Sequence, residues 1–96
     1  MTATPEAAGG SFDPAVRYQL DPAVALRPEP FGALAYHYGS RRLTFLRSVL
    51  LADLVRQLGH HDSVEAALAA SVPEAERPAY RRALASLADS RFICAC

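Results

Sequence analysis

The sequence predicts an α+β domain, winged-helix-like, with a three-stranded antiparallel sheet followed by three helices. Two observations carry this. Apolar residues recur with a period of two through residues 24–46, and from Ser48 the period lengthens to about 3.6. The chain has 96 residues, of which roughly eighty look foldable, enough for one modest core and not for two domains. The expected boundaries are a flexible tail over 1–15, a domain over 16–93 and a short tail over 94–96.

Residues 1–15 hold Thr, Pro, Ala, Gly-Gly and Ser with a single aromatic, a composition that buries little. Val16–Leu20 could be a short extended segment, ended by Asp21-Pro22. Val24–Arg27 is a first strand ended by Pro28 and Pro30, which offer no ladder donors. Phe31–Tyr38 and Arg42–Leu46 form a hairpin. Gly39-Ser40 is a Gly-X pair suited to a two-residue type II′ turn, which sets Tyr38 opposite Arg41. Tyr36 then faces Leu43 and Leu34 faces Phe45 on one surface; His37 faces Arg42 and Ala35 faces Thr44 on the other. The first surface is large and apolar and is expected to pack on the core, with the small or polar one turned outward. A one-residue slip would mix the two faces, so the register is well specified. No later segment of comparable length looks like a strand able to cover the outer edge of Arg42–Leu46. An uncovered edge is a liability or a docking site for an extended peptide.

The first helix starts near Ser48 and stacks Leu50, Leu54 and Leu58, with Leu51 and Val55 beside them. Gly59 is placed to end it. Asp62-Ser-Val-Glu65 resembles a capping box and opens a short second helix with Val64 and Leu68 inward. Ser71–Glu76 is a connection, and Pro78 is tolerable only near a helix start. The third helix runs to about Ser90 with Tyr80, Leu84, Leu87 and Ala88 inward. Phe92-Ile93 could cover the core or add an edge strand.

The ten acidic residues balance ten basic ones, all Arg, so no net field favours nucleic acid or an acidic membrane. The N-terminus lacks a positive cluster and a continuous apolar run, and no stretch approaches a membrane span, which predicts a soluble cytoplasmic protein without membrane attachment.

The run Val24-Ala-Leu-Arg-Pro-Glu-Pro-Phe-Gly-Ala-Leu-Ala-Tyr-His-Tyr-Gly-Ser-Arg-Arg-Leu-Thr-Phe-Leu46 resembles the precursor-peptide chaperones of mycofactocin biosynthesis. These are stand-alone RiPP recognition elements, similar in fold to the pyrroloquinoline quinone chaperone. The resemblance covers about residues 16–93 and is strongest over 24–47; the Cys94-Ala-Cys96 ending lies outside its pattern. It implies a non-catalytic adaptor, holding no cofactor, that binds the leader of a ribosomal precursor peptide. The adaptor presents that leader to a radical S-adenosylmethionine maturase, which owns the iron–sulfur clusters and modifies a C-terminal Val-Tyr. It also implies that the leader adds as an antiparallel strand to the third strand, its side chains entering a groove against the third helix. On this chain those positions are Arg42, Leu43, Thr44, Phe45 and Leu46, with Tyr80, Arg81 and Leu84 on the helix. The open edge found from the residues alone agrees with that placement, and the same edge could pair with a second copy to give a homodimer.

Other features have competing readings. Arg77, Arg81, Arg82 and Arg91 on the third helix can be a solvated face, a clamp for leader carboxylates, or the basic helix of a small DNA-binding transcription regulator. Neutral net charge and the lack of Asn or Gln base readers on that helix weigh against nucleic acid. His60-His61-Asp62, with His37 as a remote third ligand, lacks a Cys or carboxylate at metal spacing, and Asp62 has a capping role available, so no metal site is expected. Cys94 and Cys96 are too close for an ordinary structural disulfide and incomplete as a metal site. No nucleophile, base and orienting residue stand in a recognisable arrangement, so no catalysis is expected.

Overall fold

A computed structural model describes residues 12–96; the part of the expected N-terminal tail before Phe12 lies outside them. The elements run β1 (Tyr18–Leu20), β2 (Val24–Glu29), β3 (Gly32–His37), β4 (Arg42–Leu46), α1 (Val49–Gln57), α2 (Val64–Ser71), α3 (Arg77–Asp89) and β5 (Ile93–Ala95). Short 3₁₀ turns at Leu58–His60 and Glu74–Glu76 follow α1 and precede α3. The fold is α+β: a three-stranded antiparallel sheet ordered β2-β3-β4, followed in the chain by three helices.

A second, two-stranded sheet closes the domain. β1 pairs with β5, with Tyr18 opposite Ala95 and Leu20 opposite Ile93. Cys94 therefore lies in a ladder opposite Gln19, and Cys96 N donates to Arg17 O at 3.0 Å. The segment 94–96, expected as a tail, is held by backbone pairing that a three-residue strand provides only with a partner. The N-terminal side is fastened too: Val64 N donates to Val16 O (3.1 Å) and Glu65 N to Pro14 O (2.9 Å), using first-turn donors of α2 that have no intrahelical acceptor.

The β3–β4 register is the expected one, with Leu34 opposite Phe45, Ala35 opposite Thr44 and Tyr36 opposite Leu43. Which face is buried is reversed. Ala33, Ala35 and His37 are buried and Leu46 is 2% exposed, whereas Leu43 and Phe45 are about half exposed, at 53% and 50%. The small face of the sheet packs inward because alanines let the helices approach closely and fill the space with their own Leu and Val side chains. Leu54, Val55, Leu58, Leu68 and Leu84 supply that volume, with Val24, Phe92 and Ile93.

The hairpin turn also differs. Arg41 N donates to His37 O at 2.8 Å, so Tyr38–Arg41 form a four-residue loop closing on the His37–Arg42 pair. Arg41 takes the left-handed conformation (φ 60°), not Gly39. His37 stabilises the loop: its Nδ1 accepts from Gly39 N (3.0 Å) and Ser40 N (3.2 Å), and its ring stands edge-on to Phe92 at 5.7 Å. Strand β2 runs through Pro28 to Glu29 instead of stopping before it. An edge strand tolerates proline where the ring nitrogen faces outward. Tyr38 N bonds Ala23 O at 2.8 Å, so bonded pairs alternate from Ala23–Tyr38 and Pro28 falls on an outward position.

Gly32 opens β3 at φ +149°, and a Cβ there would meet Leu46 O and come within 2.7 Å of Ser48 O. The close approach fixes where β4 ends and α1 begins. Ser48 caps α1, its Oγ accepting from Leu51 N at 3.1 Å. At α2 the cap is Ser63, accepting from Ala66 N at 3.0 Å, and not Asp62, which instead pairs with Arg17 at 3.2 Å. Gly59 sits inside the 3₁₀ turn after α1 rather than at its end.

Candidate functional site

Ladder alternation determines what β4 presents. Since Tyr38 turns toward β2, so do Tyr36, Leu34 and Gly32, and the backbone groups of Ala33, Ala35 and His37 turn toward β4. Their partners Leu46, Thr44 and Arg42 are therefore the bonded residues of β4. The N–H and C=O groups of Leu43 and Phe45 face the other way. β4 ends the strand order, and among the described residues no strand pairs with that side.

Beside this edge runs α3. The middle of the groove is a cleft of about 290 Å³ lined by Arg42, Leu43, Thr44, Ser86, Leu87 and Phe92, among others. A cleft of about 390 Å³ continues past the hairpin end and shares Arg42 and Ser90 with the first. At the other end a cleft of about 230 Å³ lies between Arg47, Ser48, Leu51, Ala79, Tyr80 and Ala83. The helix residues on this side, Ala79, Ala83, Ser86 and Ser90, fall at helical spacing and are small. They leave room for side chains from a neighbouring strand. Sequence reasoning did not single them out; their spacing was the available signal.

The residues singled out from sequence are only partly brought together. Arg42, Leu43 and Thr44 line the groove, while Phe45 points to the outer face, edge-on to Phe31 at 5.9 Å with the Arg47 guanidinium 5.7 Å over its ring. Leu46 is buried. Tyr80 lines the far cleft and its hydroxyl lies 2.9 Å from Ser48 Oγ. Leu84 is fully buried in the core, without a surface to offer a guest. Arg81 turns to α2, forking its Nε and Nη2 onto Glu65 at 2.8 and 2.9 Å. The Arg81 hydrogen bonds hold the Glu65 carboxyl below its ordinary range, and the Glu65 carboxylate in turn raises the Arg81 pKa.

Two of the four arginines associated with the third helix are thus engaged inside the fold. Arg77 Nε donates to Val72 O at 2.8 Å, closing the C-terminal end of α2. Among the described residues only Arg82 and Arg91 of these four remain for an outside ligand, a thin basis for a DNA-reading helix.

Among the described residues no three His, Cys, Asp or Glu side chains come together as a metal site. His37 is occupied with the turn, and His60 lies in the 3₁₀ segment. Both cysteines are free thiols, and burial, with Asp21 and Cys96 nearby, pushes the Cys94 pKa up, away from a reactive thiolate. No helix is long and apolar enough to cross a membrane among the described residues.

The family described as "Peptide chaperone MftB family" matches residues 17–94. A peptide chaperone MftB of Mycobacterium ulcerans is 44% identical over 88 residues, covering 91% of this chain and 81% of that one. Its counterparts in Mycolicibacterium smegmatis and Mycobacterium tuberculosis are 42% and 40% identical, covering 86% and 85% of this chain and 82% and 76% of theirs. No solved structure matches the chain. The chain belongs to the MftB family, a family of non-catalytic peptide chaperones.

Proposed function

We propose that this chaperone captures the leader of a ribosomal precursor peptide by strand addition at β4. It then presents the peptide to a radical S-adenosylmethionine maturase in mycofactocin biosynthesis, working in the cytoplasm with no cofactor of its own. The observation that carries the reading is the free edge itself: Leu43 and Phe45 offer two N–H and two C=O groups beside a groove walled by α3.

The energetics explain why the groove matters. Four backbone hydrogen bonds contribute about 1 kcal/mol each. Ordering a four- or five-residue guest costs about 1–2 kcal/mol per residue. Backbone pairing therefore does little better than offset ordering, and affinity must come from side chains entering the groove. The same edge can pair with a second copy about a two-fold axis, in which case peptide and dimer compete.

The experiment is calorimetric titration, under reducing conditions, with the short precursor peptide encoded beside the chain's gene. Saturable one-to-one binding that survives moderate salt supports the adaptor. Absence of binding at high micromolar peptide, with or without the maturase, refutes it.

A further inference from the structure

Among the described residues only two non-glycine residues have a left-handed φ, and both are arginines at one end of the groove: Arg41 (60°) and Arg91 (66°). Arg91 follows the last turn of α3. Phe92 N donates to Leu87 O at 2.8 Å and Arg91 N to Ala88 O at 3.1 Å, an end that ordinarily places glycine where Arg91 stands. An arginine there is strained relative to glycine. Its side chain is exposed, and among the described residues no carboxylate lies within ion-pairing distance of it or of Arg42. Both residues line the cleft of about 390 Å³, with His37 and Asp89.

We propose that this cleft is an anion subsite of the peptide groove, in which Arg91 and Arg42 hold one carboxylate of the docked peptide. Glycine would serve the helix end better; what it lacks is a guanidinium at the mouth of the groove. The charge balance sets the ligand class. Two arginines against Asp89 leave one positive charge, which matches a single Asp or Glu side chain and not a phosphate chain. The cleft is continuous with the groove, since the two share Arg42 and Ser90.

Position and polarity follow from the ladder. An antiparallel guest runs from opposite Phe45 toward opposite Arg42. Its residues opposite Phe45 and Leu43 point to the outer face, and those opposite Thr44 and Arg42 point inward, because side chains alternate. The residue opposite Thr44 enters the middle cleft, and the residue two places later reaches Arg42 and Arg91. The preferred guest thus carries Asp or Glu two places after the residue that enters the middle cleft.

The subsite rests on strand addition at β4, and the test separates the two. The probes are the precursor peptide encoded beside the gene and single Asp→Asn and Glu→Gln versions of it, titrated into wild type, Arg91→Gly, Arg91→Asn, Arg42→Gln and Leu43→Pro. Gly and Asn both accept the left-handed backbone, so the two Arg91 variants should melt no lower than wild type. They should bind the native peptide about tenfold more weakly, the size of one charge-assisted contact. One neutralised peptide should lose the same factor on wild type and nothing further on the Arg91 variants. Arg42→Gln, which leaves the helix end untouched, should behave alike. If Arg91 and Arg42 variants bind every peptide as wild type does while Leu43→Pro does not, the subsite is wrong and strand addition stands. If Leu43→Pro also binds as wild type, both fall.

Discussion

The Tyr80 hydroxyl lies 2.9 Å from Ser48 Oγ, and the same oxygen accepts from Leu51 N at 3.1 Å. One serine thus caps α1 and ties α3 to the end of β4, fixing the width of the groove at its Arg47 end. Tyr80→Phe removes the tie alone and should cost about 1 kcal/mol. Ser48→Ala removes the cap as well and should cost about 1–2 kcal/mol. Urea denaturation of both variants checks the order; equal losses would mean that the cap contributes nothing beyond the tie.

Proline scanning reads the direction of each β4 backbone group. Leu43 N–H faces the free edge, so Leu43→Pro should fold, because proline is tolerated on an open edge. It should bind the precursor peptide at least about tenfold more weakly, from the lost donor and the ring in the guest's path. Thr44 N–H faces Ala35 in the ladder. Thr44→Pro should cost about 1–3 kcal/mol by leaving the Ala35 carbonyl unpaired. Circular dichroism melts with peptide titration distinguish them, and the reverse pattern would invert the assignment of the edge.

The reversed sheet makes its own prediction. Ala35 is 1% exposed against the helices, so Ala35→Leu should overpack and cost about 1–3 kcal/mol. Phe45 is 50% exposed on the outer face, so Phe45→Ser should cost under about 1 kcal/mol. A core Phe45 would give several kcal/mol instead. Thermal denaturation of the pair settles which face is inside.

These contrasts show what the residues could convey. Alternation in 34–45 specified register, because each residue's neighbours across the hairpin follow from parity. Parity cannot say which side meets the helices. Size suggested the Leu34, Tyr36, Leu43 and Phe45 side, but the helices bring enough volume of their own that alanines fit best beneath them. The helix start at Ser48 was legible from local chemistry, while at α2 the capping pattern pointed to Asp62, one residue before the true cap Ser63. Pairing of β1 with β5 was not, since it joins three-residue strands separated by the rest of the domain. At the groove, the open edge was visible as a strand without a partner. Helix periodicity placed Leu84 inward, where it lies, and only the resemblance put it in the groove.

The Arg81–Glu65 fork links α3 to α2 on the side away from the groove, and its pH dependence has a definite sign. Hydrogen bonding to Arg81 is the main cause lowering the Glu65 pKa from 4.5. The folded state therefore binds its proton less readily than the unfolded chain. The stability this contributes is complete above the unfolded pKa and is lost as pH falls through the lowered folded value. The Glu65 side chain is 46% exposed, so solvent screening keeps the contribution at the scale of a surface pair, well below 1.4 kcal/mol per pKa unit. Comparing wild type with Glu65→Gln by denaturant titration should give a small gap above about pH 4.5 that closes in more acidic buffer. A gap that widened on acidification would assign the carboxyl a raised pKa and contradict the fork. Peptide affinity of the Gln variant should stay at the wild-type level, because the fork anchors α3 from behind and touches none of the groove-lining residues.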